Sequence, residues 1–162
     1  MIEQSLVILK PDTLQRGLIG RVISRLEDAG LKIAGAKMVK VDEKFSRRHY
    51  ADLAERKGEK VASLMVKFLA SAPVLALCVE GVEAVENVRK LVGATEPKAA
   101  LPGTIRGDFS HVSIAHANRE GKAVENLIHA SGNAEEAKAE VALWFSRQEL
   151  YDYRTVHEAH TF

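Results

Sequence analysis

His129 and Ser131 stand two residues apart in the apolar run Asn126-Leu127-Ile128-His129-Ala130-Ser131. Extended backbone there would keep both side chains on one face. Glu140 belongs with them: the next helical stretch sets Ala137, Val141, Trp144 and Phe145 on one side, and Glu140 lies inside that stripe. A carboxylate on a core-facing stripe needs a partner, and the nearest in sequence is His129. An imidazole gripped by a carboxylate has one ring nitrogen fixed and the other free to attack or to shuttle a proton. With an ordinary imidazole pKa of ~6.5, that nitrogen keeps its lone pair at pH 7. Taken by itself, a lone His in an apolar run is more often structural, so the trio indicates nucleophilic or acid–base chemistry without naming a reaction.

A second set of residues points to what the chemistry acts on. Lys10, Tyr50, Arg89, Thr95 and Arg106 fall at the ends of predicted elements, where side chains converge. Guanidinium forks beside an ammonium and hydroxyls suit a polyphosphate. Singly, each cation reads as solvated surface and Tyr50 as a half-buried helix residue. Gly103 and Gly107 on either side of Arg106 suit a backbone that must approach a ligand or another chain closely. The chain lacks a Gly-x-x-x-x-Gly-Lys-[Ser/Thr] loop and the signatures of protein kinases. Phosphate, if moved, is moved by neither of those devices.

The elements that must position these groups follow from periodicity. Ser5–Leu9 predicts a strand closed by a proline turn at Lys10-Pro11-Asp12. Ile19, Val22, Ile23 and Leu26 predict a helix stopped by Gly30. Leu31–Val41 predicts a strand whose alternation changes phase near Gly35, the mark of a bulge. Phe45–Glu55 predicts one amphipathic helix, and Val61 to Ala72 a second, cut off by Pro73. Val74–Val79 predicts a strand covered on both faces, and Val85, Val88 and Val92 another helix. From Gly93 to about Gly121 no period is sustained, so a long loop with at most one short helix is expected, of a length that often carries function. Asn126–Ala130 is the last expected strand. Asn133 caps the helix Asn133–Phe145, with Glu136 at its third position. This order predicts an α+β sandwich of ferredoxin-like type: an antiparallel four-stranded sheet covered by helices, with the long loop before the last strand.

Composition sets the bounds. The 162 residues, 46% hydrophobic and 28% charged, suit one domain with its own core. A formal net charge of +1 gives no reason to expect nucleic acid or membrane binding through bulk charge. The single cysteine, Cys78, lies in an apolar run and reads as a buried core thiol. No basic, then apolar leader opens the sequence and no run reaches membrane-spanning length, so a reduced, cytoplasmic setting is expected.

Taken together the motifs resemble the nucleoside diphosphate kinase family. The resemblance is carried by Lys10-Pro11-Asp12, His49-Tyr50, Arg89 with Gly93-Ala94-Thr95, Pro102-Gly-Thr-Ile-Arg-Gly-Asp-Phe109 and Asn126-Leu-Ile-His-Ala-Ser131, in that order. It covers about 1–150 as a single domain, with an insertion at about 110–124 and a tail at 151–162. The resemblance implies a ping-pong kinase, in which His129 takes the γ-phosphoryl group of ATP or another nucleoside triphosphate and passes it to a nucleoside diphosphate. It makes Glu140 and Ser131 the supports of His129, with Lys10 and Tyr50 joining the catalytic set. Lys10, Arg89, Thr95, Arg106 and Asn126 bind the nucleotide, and Asn126 and Lys10 also reach the sugar hydroxyl. It further implies Mg²⁺ carried on the phosphates without dedicated protein ligands, and a homo-oligomer, commonly a hexamer or tetramer.

Three departures qualify that resemblance. Val61 stands where many members have an aromatic that stacks on the base, losing a stacking contribution of roughly 1–3 kcal/mol. Gly132 replaces the usual Asp after Ser131. The insertion holds His111 and His116 and reads as surface decoration, with a partial lid as the other reading. His157 and His160 in the tail read as exposed. A non-catalytic oligomeric nucleotide-binding regulator on the same fold is the alternative function, and retention of His129 weighs against it. A metal role for His129 finds no second His or Cys at ligand spacing.

Overall fold

The first strand begins earlier than its apolar run. In the computed structural model, which describes residues 1–156 and 158–161, β1 spans Ile2–Leu9, with Ser5 to Leu9 all buried. Pro11 does not end the chain's regular structure in a turn as expected; it opens a short helix, α1 (Pro11–Gln15). Proline suits a first helical position because its missing N–H would have no partner there. Helix α2 (Ile19–Glu27) buries Val22 and Leu26. Strand β2 (Lys32–Val39) follows, and its register shift between Ile33 and Gly35 is the bulge that the change of phase predicted.

The expected helix over 45–55 is two. Helix α3 (Glu43–His49) is capped by Asp42, whose side chain accepts from Phe45 N at 2.7 Å, and α4 runs Leu53–Lys57. The break falls at Tyr50, which leaves helical geometry and stacks its ring against His49 at 4.6 Å. Burial of that ring overrides local propensity. Helix α5 (Glu59–Ser71) ends before Pro73, β3 (Val74–Val82) outruns its apolar run by Glu80-Gly81-Val82, and α6 spans Ala84–Val92.

The long segment from Gly93 is more ordered than expected. It contains a 3₁₀ turn at Pro97–Ala99 and two short helices, α7 (Ile105–Phe109) and α8 (Ile114–Arg119), each capped by a hydroxyl residue, Thr104 and Ser113. Capping supplied by side chains leaves little hydrophobic period to read. The insertion is tied to that turn by Lys98 N donating to Val112 O at 3.1 Å and Ile114 N to Glu96 Oε1 at 2.8 Å. Strand β4 is only Ile128–Ala130, α9 runs Ala134–Trp144, a 3₁₀ turn covers Arg147–Glu149, and α10 spans Glu158–Thr161.

The sheet is antiparallel throughout, in the order β2-β3-β1-β4. Alternate residues of β1 feed two cores. Val7 and Leu9 pack with Val22, Leu26, Val88 and Ile105 on one face, and Leu6 and Ile8 with Leu69, Val141, Trp144 and Phe145 on the other. Both faces are therefore covered, in a ferredoxin-like α+β arrangement. The segment after Leu150 lies along β2, with Tyr151 N donating to Ala34 O at 2.8 Å and Tyr153 Oη to Ile33 O at 2.9 Å. His160 is exposed, and His157 lies outside the described residues. Among the described residues no helix is long and apolar enough to cross a membrane.

Candidate active site

The polar residues converge where β1 ends beside β4. The strand delivers Lys10 into a buried position, 3% exposed, with Nζ donating to Asn126 Oδ1 at 2.7 Å. Asn126 in turn donates Nδ2 to Thr95 O at 2.7 Å. One residue on, Leu127 has φ 71, the left-handed region that bulky L-residues avoid. This is why β4 is shorter than the apolar run that foretold it. Leu127 is fastened to the β1–α1 corner: its N–H donates to Asp12 Oδ2 at 2.9 Å, and its carbonyl accepts from Lys10 N at 2.8 Å and Thr13 Oγ1 at 2.5 Å.

His129 follows on β4 opposite Ile8. Its Nε2 stands 2.9 Å from Glu140 Oε1. Ser131 Oγ donates to the other carboxylate oxygen at 2.6 Å and accepts from Leu6 N at 3.1 Å, so the serine locks Glu140 to the middle of β1. Glu140 reaches the site because α9 starts where it does. Asn133 caps that helix by accepting from Glu136 N at 2.8 Å. A Cβ at Gly132 would come 2.5 Å from Glu136 Oε2, so Glu136 fills the place that a side chain at 132 would need.

Arg106 is the second buried cation of the site, 8% exposed on α7. It donates Nε to Asn126 O at 3.1 Å, Nη1 to Gly93 O at 3.0 Å and Nη2 to Ile128 O at 2.6 Å. This fit requires two glycines. A Cβ on Gly107 would run into the Leu101 carbonyl, and one on Gly93, at φ +84, into Thr104. Arg89, on α6, and Thr95 are exposed, and Arg89 is near enough to Arg106 to disfavour its charge. Tyr50 presents a buried hydroxyl that has no hydrogen-bond partner among the described residues.

Burial dominates the electrostatics. It pulls the Lys10 ammonium down to about 7, aided by Arg106 and opposed by Asp12. Burial, then Arg89, brings Arg106 to about 10. The Asp12 carboxyl is raised by burial against the opposing charge of Lys10, and the Tyr50 phenol is raised by burial and by Glu140. His49 is held well below the usual imidazole range by burial, then by His129 and Lys10. Such a site, short of neutralising charge, favours an anion.

Sequence spacing did not reveal His49. Helix α3 brings its ring edge-on to His129 at 4.5 Å, with Nδ1 accepting from Trp144 Nε1 at 3.3 Å and lying 3.8 Å from Glu140 Oε1. No second His lies at ligand spacing along the sequence, yet the fold brings one alongside: donor atoms of His49, His129 and Glu140 lie within 4.8 Å of one another. Ligands of a tetrahedral Zn²⁺ sit roughly 3.3 Å apart. The cluster is wider, and His49 Nδ1 already takes the indole proton, so it fits a hydrogen-bonded support better than a metal centre. Asp12 and Thr13 also escaped sequence reasoning, because Pro11 suggested a turn. Val61 stands half-buried in the first turn of α5, outside the hydrogen-bonded cluster.

The chain matches the family model described as nucleoside diphosphate kinase over residues 3–150. It is 47% identical to the nucleoside diphosphate kinase of Borreliella burgdorferi, covering 95% of this chain and 93% of that one. It is 46% identical to that of Pyrococcus furiosus, covering 94% and 88%. Among solved structures, a transition-state mimic of the Borrelia burgdorferi enzyme with bound vanadate and ADP superposes with a TM-score of 0.97 at 46% identity, covering 99% of this chain and 96% of that one. A Halobacterium salinarum enzyme in complex with CDP gives 0.84 at 39% identity, covering 98% and 97%.

Proposed function

The chain belongs to the nucleoside diphosphate kinase family, and from that membership we propose that His129 is the residue that carries the phosphoryl group. The activity is transfer of the γ-phosphoryl group of a nucleoside triphosphate to a nucleoside diphosphate. With Nε2 facing Glu140 Oε1 at 2.9 Å, the lone pair on His129 Nδ1 attacks the γ-phosphorus. The bond to the β,γ-bridging oxygen breaks and its electrons leave with the diphosphate. A β-phosphate oxygen of a second nucleotide then attacks the same phosphorus, the N–P bond breaks and the imidazole is restored. Glu140 stabilises the positive charge that develops on the ring in the first step, and Ser131 holds Glu140 in place.

Lys10, Arg106, Arg89, Thr95 and the orphan hydroxyl of Tyr50 bind the phosphates, with positioning and cationic charge rather than covalent machinery doing most of the catalysis. Asn126 and Lys10 take the sugar hydroxyl, and Val61 covers the base without an aromatic stack. Glu140 is taken up by His129 and Ser131, and Asp12 has one oxygen on the Leu127 N–H and the other buried. The divalent cation, Mg²⁺ in this reading, would come on the nucleotide phosphates and spread their charge, with no dedicated protein ligand. Assembly as a homo-oligomer, hexamer or tetramer, in the cytoplasm completes the reading.

The observation that carries the proposal is the 2.9 Å approach of His129 Nε2 to Glu140 beside the Ser131 bond. Intact mass after mixing with MgATP and no acceptor tests it. The expected result is one added phosphoryl group, acid-labile, absent in His129→Ala and discharged by a nucleoside diphosphate. Nucleotide binding without any mass gain would overturn it in favour of the regulatory reading.

A further inference from the structure

We propose that Asp12 is a positioning residue for phosphoryl transfer, acting by holding the left-handed backbone of Leu127 so that Asn126 and His129 face the site from either side of it. The inference rests on His129 as the nucleophile. Leu127 is fully buried at φ 71, and nothing about a leucine favours that backbone. Residues in such conformations persist only where their surroundings over-determine them, and they gather at functional sites.

The surroundings here are specific. Lys10 N and Thr13 Oγ1 hold the Leu127 carbonyl, while Arg106 holds the carbonyls on either side, at Asn126 and Ile128. The amide of Leu127 has one partner, Asp12 Oδ2 at 2.9 Å. Without it a buried N–H would be left unpaired, and the Asn126–Leu127 peptide would be held only at its carbonyl, by Arg106 Nε and Ile128 N, so it could turn part of the way toward a relaxed conformation. That rotation would swing Asn126 away from Lys10 and Thr95 and shift the start of β4, which carries His129.

Asp12 itself is costly to keep. It is 4% exposed, its Oδ1 is buried without a hydrogen bond, and Glu125 adds repulsion that Lys10 offsets. Packing alone gives no reason for a carboxylate there. An acceptor for a strained amide does.

The test uses the full chain with Asp12→Ala, Asp12→Asn and Asp12→Ala/Leu127→Gly. Two quantities are followed: the single-turnover rate of histidine phosphorylation by MgATP, and hydrogen exchange of the Leu127 amide. Asn keeps an acceptor, and Gly accepts the left-handed backbone without strain. A displacement of the reacting group near 1 Å predicts that Asp12→Ala slows phosphorylation about 10- to 100-fold while Asp12→Asn stays within about threefold of wild type. The added Leu127→Gly recovers part of the loss, and exchange at 127 speeds up in Asp12→Ala alone. Equal losses in the Ala and Asn variants, or wild-type rate and exchange in Asp12→Ala, would overturn the proposal. Should Asp12→Ala fail to fold, Asp12→Ser, with a shorter reach toward the amide, takes its place. Should the wild type form no phosphohistidine, the reading of His129 fails, while amide exchange still tests the clamp.

Discussion

Glu140 grips His129 and Ser131 at once: one carboxylate oxygen stands 2.9 Å from His129 Nε2 while the other accepts from Ser131 Oγ at 2.6 Å. The orientation of the imidazole is thereby tied to the hydroxyl that also holds the middle of β1 through Leu6 N. Glu140→Gln keeps the size and loses the charge that supports the ring in the transition state. We expect phosphorylation by MgATP to slow at least about tenfold with little change in thermal midpoint. Rapid-quench measurement of phosphohistidine formation checks this, and an unchanged rate would leave Glu140 a packing residue only.

Removing the nucleophile should separate chemistry from binding. His129→Ala should abolish transfer yet bind nucleoside diphosphates, because Lys10, Arg106 and Asn126 hold one another without it. Calorimetric titration with ADP beside the coupled assay reads both. Residual transfer at the wild-type rate would refute the phosphohistidine route.

Nucleotide affinity should depend on pH through Lys10. Its ammonium is pulled down to about 7 in the free protein, so near neutrality only about half of the molecules carry that charge. Phosphate oxygens favour the charged form, so binding ADP at pH 8 should take up a proton, and affinity should fall as pH rises above 7. Calorimetry in two buffers of different ionisation enthalpy measures the uptake, which Lys10→Met should remove.

The same group makes a stability prediction of definite sign. Lys10 titrates at about 7 in the folded chain against 10.5 for an ordinary lysine. Between those values the unfolded chain binds more protons, so the Lys10 contribution to stability rises with pH across that window. Denaturant midpoints from pH 7 to 9.5 should rise less steeply in Lys10→Met than in the wild type.

Gly107 tests how tightly Arg106 is seated. A methyl there meets the Leu101 carbonyl, and neither partner is the end of a flexible side chain. Gly107→Ala should lower the unfolding free energy by more than about 2 kcal/mol and weaken nucleotide binding with it. Denaturant unfolding provides the first figure and ADP titration the second.

Much of this was legible in the chain, and what was not has physical causes. Period and punctuation located β2 with its bulge near Gly35, the helix ending before Pro73 and the Asn133 cap, because each depends on neighbours in sequence. A glutamate in an apolar stripe announced that it would need a partner, and the structure puts His129 beside it. The left-handed turn at Leu127 gave no local sign, since its cause is Asp12, remote in sequence. His49 arrives beside His129 only because α3 folds back over the sheet, and helices α7 and α8 are held by hydroxyl caps inside a glycine-rich stretch that shows no period.

The sheet order has a consequence for a chain still being made. Strand β1 is synthesised first, but its neighbours β3 and β4 lie far downstream, at Val74–Val82 and Ile128–Ala130. Until the last of these leaves the ribosome, one side of the apolar half of β1, Leu6 to Leu9, has unpaired backbone groups, the condition under which nascent chains stick to one another. The segment that closes that edge is the one bearing His129, so a chain truncated before it would lack both its nucleophile and the cover on its stickiest strand.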